Sequence, residues 1–176
     1  MNANIRLFFK INELQAKKNR WLDAFGRAGA EWVIVAMVGW YGAATIIDQV
    51  SNNRAILVQF MTLGIGWICG WLLNVGIGLL VKEPRPHVTY PESKLLFQPK
   101  MSWKSFPSDH AMSAWLIFFL SVVFAIPGVE VLFFLAVWVC WGRVYAGVHY
   151  PFDTIGGLFV GALISMFVLY FLVSFL

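Results

Sequence analysis

Residues 55–81 read AILVQFMTLGIGWICGWLLNVGIGLLV, with no charged side chain at any of 27 consecutive positions. A run of this length and composition is a membrane-spanning helix, which needs roughly 17–25 residues. Only a helix or a closed barrel satisfies its own backbone polar groups in hydrocarbon. Outward from this run, residues 154–176 are free of charge over 23 positions. Residues 32–47 and 111–126 are shorter and also uncharged, and 131–148 is apolar apart from Arg143. The pattern predicts an all-α integral membrane helical bundle of about five spanning helices over residues 32–176. The chain is 60% hydrophobic and only 12% charged, which leaves too few charges to cover a soluble domain of 176 residues.

Residues 1–31 have no uninterrupted apolar core and so do not read as a cleavable signal peptide. They carry Arg6, Lys10, Lys17, Lys18, Arg20 and Arg27 against Glu13, Asp23 and Glu31, while Leu7, Phe8, Ile11 and Leu14 fall at helical spacing. This predicts an N-terminal amphipathic helix lying in the interface, its cations facing lipid headgroups. The lipid bilayer is thus an expected partner. A pI near 9.2 would also suit nucleic acid, but no other feature supports that partner, and none is expected. Cys69 and Cys140 fall inside spans and read as packing residues, with neither a disulfide nor a metal site expected. Gly157 and Gly161 suggest close helix packing. Without a repeat or linker, residues 1–176 read as a single domain.

Polar groups at membrane depth are expensive and point to function. Outside the N-terminal region most charged residues lie in 82–109 or 143–153. Consecutive spans alternate direction, so both stretches meet at one face, and an active site over 82–110 and 143–153 can collect them. In Pro107-Ser108-Asp109-His110, Ser108 is a favoured N-cap and Asp109 suits a first turn. The free N–H groups there make an anion site. A simple cap explains Ser108 and Asp109 but not His110 at the mouth of an apolar helix. His149 and Asp153 are four residues apart and share a face if the turn is helical. A carboxylate on one ring nitrogen fixes the tautomer and leaves the other nitrogen as a nucleophile. Arg143 presents a planar fork of donors to phosphoryl oxygens. Lys82 and Arg85, one turn apart at the end of the second span, complete a cation cluster.

These segments resemble the signature of the type 2 phosphatidic acid phosphatase superfamily of membrane phosphatases. That pattern has a lysine followed after six residues by Arg-Pro, then Pro-Ser-Gly-His, then Ser-Arg, five residues, His, three residues and Asp. Here Arg85-Pro86, Pro107-Ser108-Asp109-His110 and Gly142-Arg143 with His149 and Asp153 match it. The Phe-Pro-Ser-Asp-His form and the Gly-Val-His-Tyr-Pro-Phe-Asp run are most similar to the bacitracin-resistance type of undecaprenyl diphosphate phosphatase. Three departures stand out. The family lysine falls at Gly78, with Lys82 the nearby candidate; Asp109 replaces glycine; and Gly142 replaces serine.

The resemblance implies hydrolysis of undecaprenyl or another polyprenyl diphosphate to the monophosphate, in recycling of a cell-wall carrier lipid. His149 would form a phosphohistidine, Asp153 would orient it, and His110 would protonate the leaving group and then activate water. Lys82, Arg85, Ser108, Asp109 and Arg143 would bind the substrate phosphate. No cofactor and no metal is expected. Phosphatidylglycerophosphate, phosphatidate and lipid A phosphate are alternative substrates with the same machinery. A lipid-binding or lipid-translocating protein is the non-enzymatic alternative.

Of the 13 Lys and Arg, six lie in 1–31, five in 82–107, and one is Arg143. Taken literally, the positive-inside rule puts the site on the cytoplasmic face. The resemblance implies a multi-pass protein of the inner (plasma) membrane with its site on the extracytoplasmic face, and that is the expectation adopted. Residues 87–106 mix Tyr90, Leu95, Leu96, Phe97, Met101 and Trp103 with Lys94, Lys100 and Lys104. Such mixing predicts a segment at headgroup depth that guides anionic lipids to the site.

Overall fold

A computed structural model describes residues 2–17, 19–99 and 103–175. Lys18, Lys100 and Met101, named above, and the last residue of the final span lie outside that set. The described residues are helical and contain no strand. An N-terminal helix α1 (Ala3–Asn12) leads through a 3-10 turn (Glu13–Lys17) to α2 (Arg20–Arg27). A π-helical turn (Ala28–Trp32) joins α2 to α3 (Val33–Asp48). Then follow α4 (Asn53–Val81), the short α5 (Pro86–Thr89), α6 (Asp109–Val123), α7 (Val129–Tyr145) and α8 (Pro151–Phe175).

Asparagines start three of these helices. The side chains of Asn2, Asn19 and Asn52 accept from Ile5 N, Trp21 N and Ala55 N at 3.0, 3.0 and 3.1 Å. Helix α4 stops where Lys82 takes a left-handed conformation (φ 52°), its N–H returning 2.9 Å to the Gly78 carbonyl. Pro84 and Pro86 follow and cannot continue the ladder.

Helix α6 is the buried centre, with Ala111, Met112, Ala114, Leu116 and Leu120 fully enclosed by α3, α4, α7 and α8. Small residues set its distance from α8. A Cβ at Gly157 would stand 2.6 Å from the Ser108 carbonyl oxygen, and one at Gly161 would stand 2.8 Å from that of Met112. Large apolar side chains such as Leu72, Leu80, Phe159 and Met166 point outward. This apolar outer surface suits lipid, and the protein is a membrane-embedded helical bundle. Among the described residues, three helical stretches are long and apolar enough to cross a membrane, over Arg20–Asp48, Asn53–Thr89 and Pro151–Phe171. The other two expected spans are shorter, with 15 residues in α6 and 17 in α7.

The N-terminal region differs from an isolated interfacial helix. The helix that carries the first apolar run begins at Arg20, well before Trp32, because it passes through the π turn without a break. Arg27 and Glu31, which ended the apolar span in the sequence, pair across one turn at 2.7 Å. Phe8 is fully buried against Val144 and Tyr150, anchoring α1 to the bundle.

Candidate active site

Five expected residues meet around one pocket of about 460 Å³: Arg85, Asp109, His110, Arg143 and His149. Each comes from a helix end. Arg85 follows α4, Asp109 and His110 open α6, Arg143 lies in the last turn of α7, and His149 sits in the link to α8. Ser108 and Asp153 stand behind the pocket wall. The Ser108 hydroxyl accepts from Ala111 N at 3.4 Å as the α6 cap, and its own N–H donates to the Asp153 carbonyl at 3.0 Å. The starts of α6 and α8 are thereby tied together.

His149 is buried, with Nδ1 3.3 Å from Asp153 Oδ2 and Nε2 3.2 Å from Arg85 Nη1. A guanidinium only donates, so Nε2 is the acceptor and carries the lone pair. The proton therefore sits on Nδ1 and points at Asp153. The carboxylate is held in turn by the Ser105 hydroxyl at 2.5 Å and by Tyr150 N–H at 2.7 Å, both donating to Oδ2. Burial, and then the charges of Arg85 and Arg143, hold the His149 imidazole well below the usual histidine range. The imidazole is thereby held in its neutral form.

The two guanidiniums are buried with little to satisfy them. Arg85 Nη1 donates to the Val148 carbonyl at 2.8 Å, and Arg143 Nη1 donates to that of Ala30 at 3.0 Å. Their Nε groups have no partner. Among the described residues, neither has a carboxylate within 4.0 Å. Buried charges are ordinarily paired. Two buried guanidiniums without a carboxylate partner, one of them donating to the Nε2 lone pair of His149, make a strong site for a tetrahedral anion.

Lys82 is not brought to this site. It is exposed at the left-handed end of α4 and is not part of the pocket wall. Lys104 instead stands behind the pocket wall, in contact with Asp109. Lys104, expected from the sequence to be a cation that guides anionic lipids, is instead enclosed by the protein, 1% exposed. Its Nζ donates to Asp109 Oδ1 at 2.8 Å and to the Pro107 carbonyl at 3.2 Å. Asn74 Nδ2 donates to the same Asp109 oxygen at 2.9 Å. Asp109 is thus a carboxylate held by a cation at the pocket wall. A carboxylate repels phosphoryl oxygens, which argues against direct phosphate contact by its side chain. The lysine stem lies where the sequence has Gly78: a Cβ there would stand 2.5 Å from Lys104 Cδ.

The glycine at position 142 has a similar explanation. A Cβ there would stand 2.6 Å from Ala30 N and 2.7 Å from Gly29 C. Its absence lets the π turn press against α7 and bring the Ala30 carbonyl to Arg143. The connection before α6 also closes over the site. Phe97 lies 5.8 Å from Arg143 Cζ, and Gln98 and Pro99 line the pocket. Asn12 fastens this connection, donating to the carbonyls of Lys94 at 2.8 Å and Tyr145 at 3.0 Å and accepting from Lys94 N–H at 2.8 Å.

Sequence reasoning missed Ser105, Ala30 and Lys104 as parts of this site. Gly78 standing where a lysine was expected was the one available signal for Lys104. Ala30 acts through its carbonyl, which leaves no mark in the side-chain pattern.

Comparison with known proteins places this geometry. The PAP2 superfamily pattern matches residues 54–175. The putative undecaprenyl-diphosphatase YbjG of Escherichia coli is 41% identical, over 91% of this chain and 78% of that protein. Undecaprenyl-diphosphatase BcrC of Bacillus subtilis is 30% identical, over 92% of this chain and 80% of its own length. The bacitracin transport permease protein BcrC of Bacillus licheniformis is 29% identical, and there the chain spans 58% of the relative's length. The crystal structure of Aquifex aeolicus LpxE superposes with a TM-score of 0.70 at 23% identity, covering 97% of this chain and 96% of that one, a likeness of fold.

Proposed function

The chain belongs to the PAP2 superfamily of membrane lipid phosphatases, and on that premise we propose that it hydrolyses a polyprenyl diphosphate, undecaprenyl diphosphate foremost, to the monophosphate and inorganic phosphate. The observation that carries this reading is that Arg85 and Arg143, each buried with an Nε that has no partner, stand beside His149, whose Nε2 lone pair faces Arg85. The names of the relatives support a diphosphate as the substrate.

In the first step His149 Nε2 attacks the terminal phosphorus. The bond to the bridging oxygen breaks, and its electron pair stays with the lipid monophosphate, which takes a proton from His110. Asp153 stabilises the charge that develops on the imidazole through its Nδ1–H. Water then attacks the phosphohistidine and loses its proton to His110, and the P–N electron pair returns to Nε2. Arg85 and Arg143 hold the phosphoryl oxygens throughout, with the α6 N-terminus behind them. Lys104 takes the part assigned to Lys82 from sequence, adding positive charge behind Asp109. The protein works in the inner (plasma) membrane with its site on the extracytoplasmic face, where a carrier lipid is released after polymer assembly.

The test is phosphate release by purified protein in detergent with chelator present. Substrates are undecaprenyl diphosphate, phosphatidylglycerophosphate, phosphatidate and lipid A phosphate. A preference for the diphosphate supports the reading. A preference for a monophosphate lipid contradicts the substrate, and activity only after metal addition contradicts the mechanism.

A further inference from the structure

The family pattern begins at residue 54, yet the segment that carries His149 is gripped at both ends by α1. Asn4, Phe8 and Asn12 fall within about 80° of one another on this helix and span about 12 Å. Asn12, 1% exposed, donates from Nδ2 to the Tyr145 carbonyl at 3.0 Å, at the end of α7. Asn4 Oδ1 accepts from Phe152 N at 3.0 Å, in the first turn of α8. Between the two, the Phe8 ring meets that of Tyr150 edge-on at 5.5 Å. Tyr145 and Phe152 bracket the link 146–150 that contains His149. Arg6 and Lys10 lie on the opposite side of α1 and are exposed, so the gripping face is not the cationic one.

The grip also reaches the link from the side. Asn12 Nδ2 donates to the Lys94 carbonyl at 2.8 Å, and Gln15 Nε2 donates to the carbonyls of Tyr145 and, at 3.2 Å, Lys94. The Lys94 carbonyl packs on Gly147, where φ is 77° and a Cβ would overlap its oxygen. Gly147 is two residues before His149, and the Val148 carbonyl between them accepts from Arg85. We propose that Asn12 is a positioning residue for the nucleophile and Asn4 its counterpart at the far end of the link. Helix α1 clamps residues 145–152 so that His149 Nε2 stays in line with the phosphorus. The inference rests on the lipid-phosphatase reading and deepens it. Five residues between two helices leave the ring room to shift, and a displacement of about 1 Å costs on the order of a hundredfold in rate. No α1 residue lines the catalytic pocket, so the effect falls on kcat and not on substrate binding. The two asparagines use opposite ends of the amide. Asn12 donates to two carbonyls, whereas Asn4 accepts from a backbone N–H.

One substitution, asparagine to aspartate, therefore has opposite outcomes at the two positions. Asn12→Asp loses the donor and sets a carboxylate against two carbonyls, and kcat should fall about tenfold with KM within about twofold of wild type. Asn4→Ala should lower kcat about threefold, and Asn4→Asp, which keeps the acceptor, should recover that loss. Kinetics are run on whichever lipid phosphate of the panel wild type hydrolyses, so failure of the diphosphate reading leaves the comparison intact. Equal effects of aspartate at both positions, or a loss carried by KM, overturn the clamp. If Asn12→Asp does not fold, the Asn4 pair decides, and no recovery by aspartate overturns the clamp. A second measurement needs no turnover. Hydrogen–deuterium exchange over residues 145–152 should quicken in Asn12→Asp and stay at the wild-type rate in Asn4→Asp. Unchanged exchange in Asn12→Asp overturns the clamp. If wild type hydrolyses no lipid phosphate, the lipid-phosphatase reading fails, and exchange alone decides whether α1 holds the link.

Discussion

Lys104 occupies the space above Gly78. Its Cδ would stand 2.5 Å from a Cβ at that position, and its ammonium reaches Asp109 at 2.8 Å. A cation from the connection before α6 thus reaches the volume that a side chain on α4 would otherwise fill. Lys104→Gln should lower kcat/KM for the diphosphate by about tenfold, or about 1.4 kcal/mol in the barrier. The double variant Gly78→Lys/Lys104→Ala should recover part of that loss. Steady-state kinetics on the three proteins checks it, and a double variant no better than Lys104→Gln would refute the spatial exchange.

Ser105 holds Asp153 through its hydroxyl, and Asp153 Oδ2 lies 3.3 Å from His149 Nδ1, where the proposed mechanism has it orient the ring. Removing a hydrogen bond to a charged group costs roughly 1.5–3 kcal/mol. Ser105→Ala should therefore reduce kcat by about tenfold or more while leaving KM nearly unchanged, since no substrate atom is touched. Ser105→Thr, which keeps the hydroxyl, should restore most of the rate. A change confined to KM would place Ser105 in substrate binding.

The buried, neutral His149 sets a pH dependence of stability. Its folded pKa lies below the unfolded value of roughly 6.5, so the unfolded chain takes up this proton first. Stability from this group is full above that value and is lost as the pH falls below it. Thermal unfolding of wild type at pH 7.5 and 5.5 should show a larger drop in Tm than the same pair for His149→Gln. Equal drops would mean that His149 is not the titrating group.

The long apolar runs were legible because hydrocarbon demands them, and residues 55–81 and 154–175 do lie in α4 and α8. The structure also gathers Arg85, His110, Arg143 and His149, whose positions at helix ends follow from alternating spans. The start of the first span was not legible. Charge at Arg27 and Glu31 suggested an end, whereas an ion pair between them lets the helix continue. Lys104 was misjudged because a lysine among aromatic residues has the same local pattern at an interface as in a buried ion pair. Only its partners in space, Asp109 five residues on and the bare backbone at Gly78, separate the two. The role of Gly142 was hidden for the same reason, since its neighbours come from residues 26–30.

Restoring the family serine at position 142 should consequently do harm. The new Cβ meets Ala30 and Gly29 backbone atoms below 3 Å, so the π turn must move and Ala30 releases Arg143. Overpacking of this kind costs about 1–3 kcal/mol. Gly142→Ser should lower Tm and raise KM for the lipid together. A variant with unchanged Tm and improved KM would show that a hydroxyl there is useful and the packing argument is wrong.

The central claim is that His149 takes the phosphoryl group, and trapping the intermediate tests it most directly. Purified protein is mixed with polyprenyl diphosphate carrying a radiolabelled terminal phosphate and quenched in denaturant within milliseconds. Wild type should show acid-labile, base-stable label mapping to the peptide that contains His149, and His149→Ala should show none and release no phosphate. Rapid turnover by wild type without labelled protein, or label retained in His149→Ala, would contradict the account.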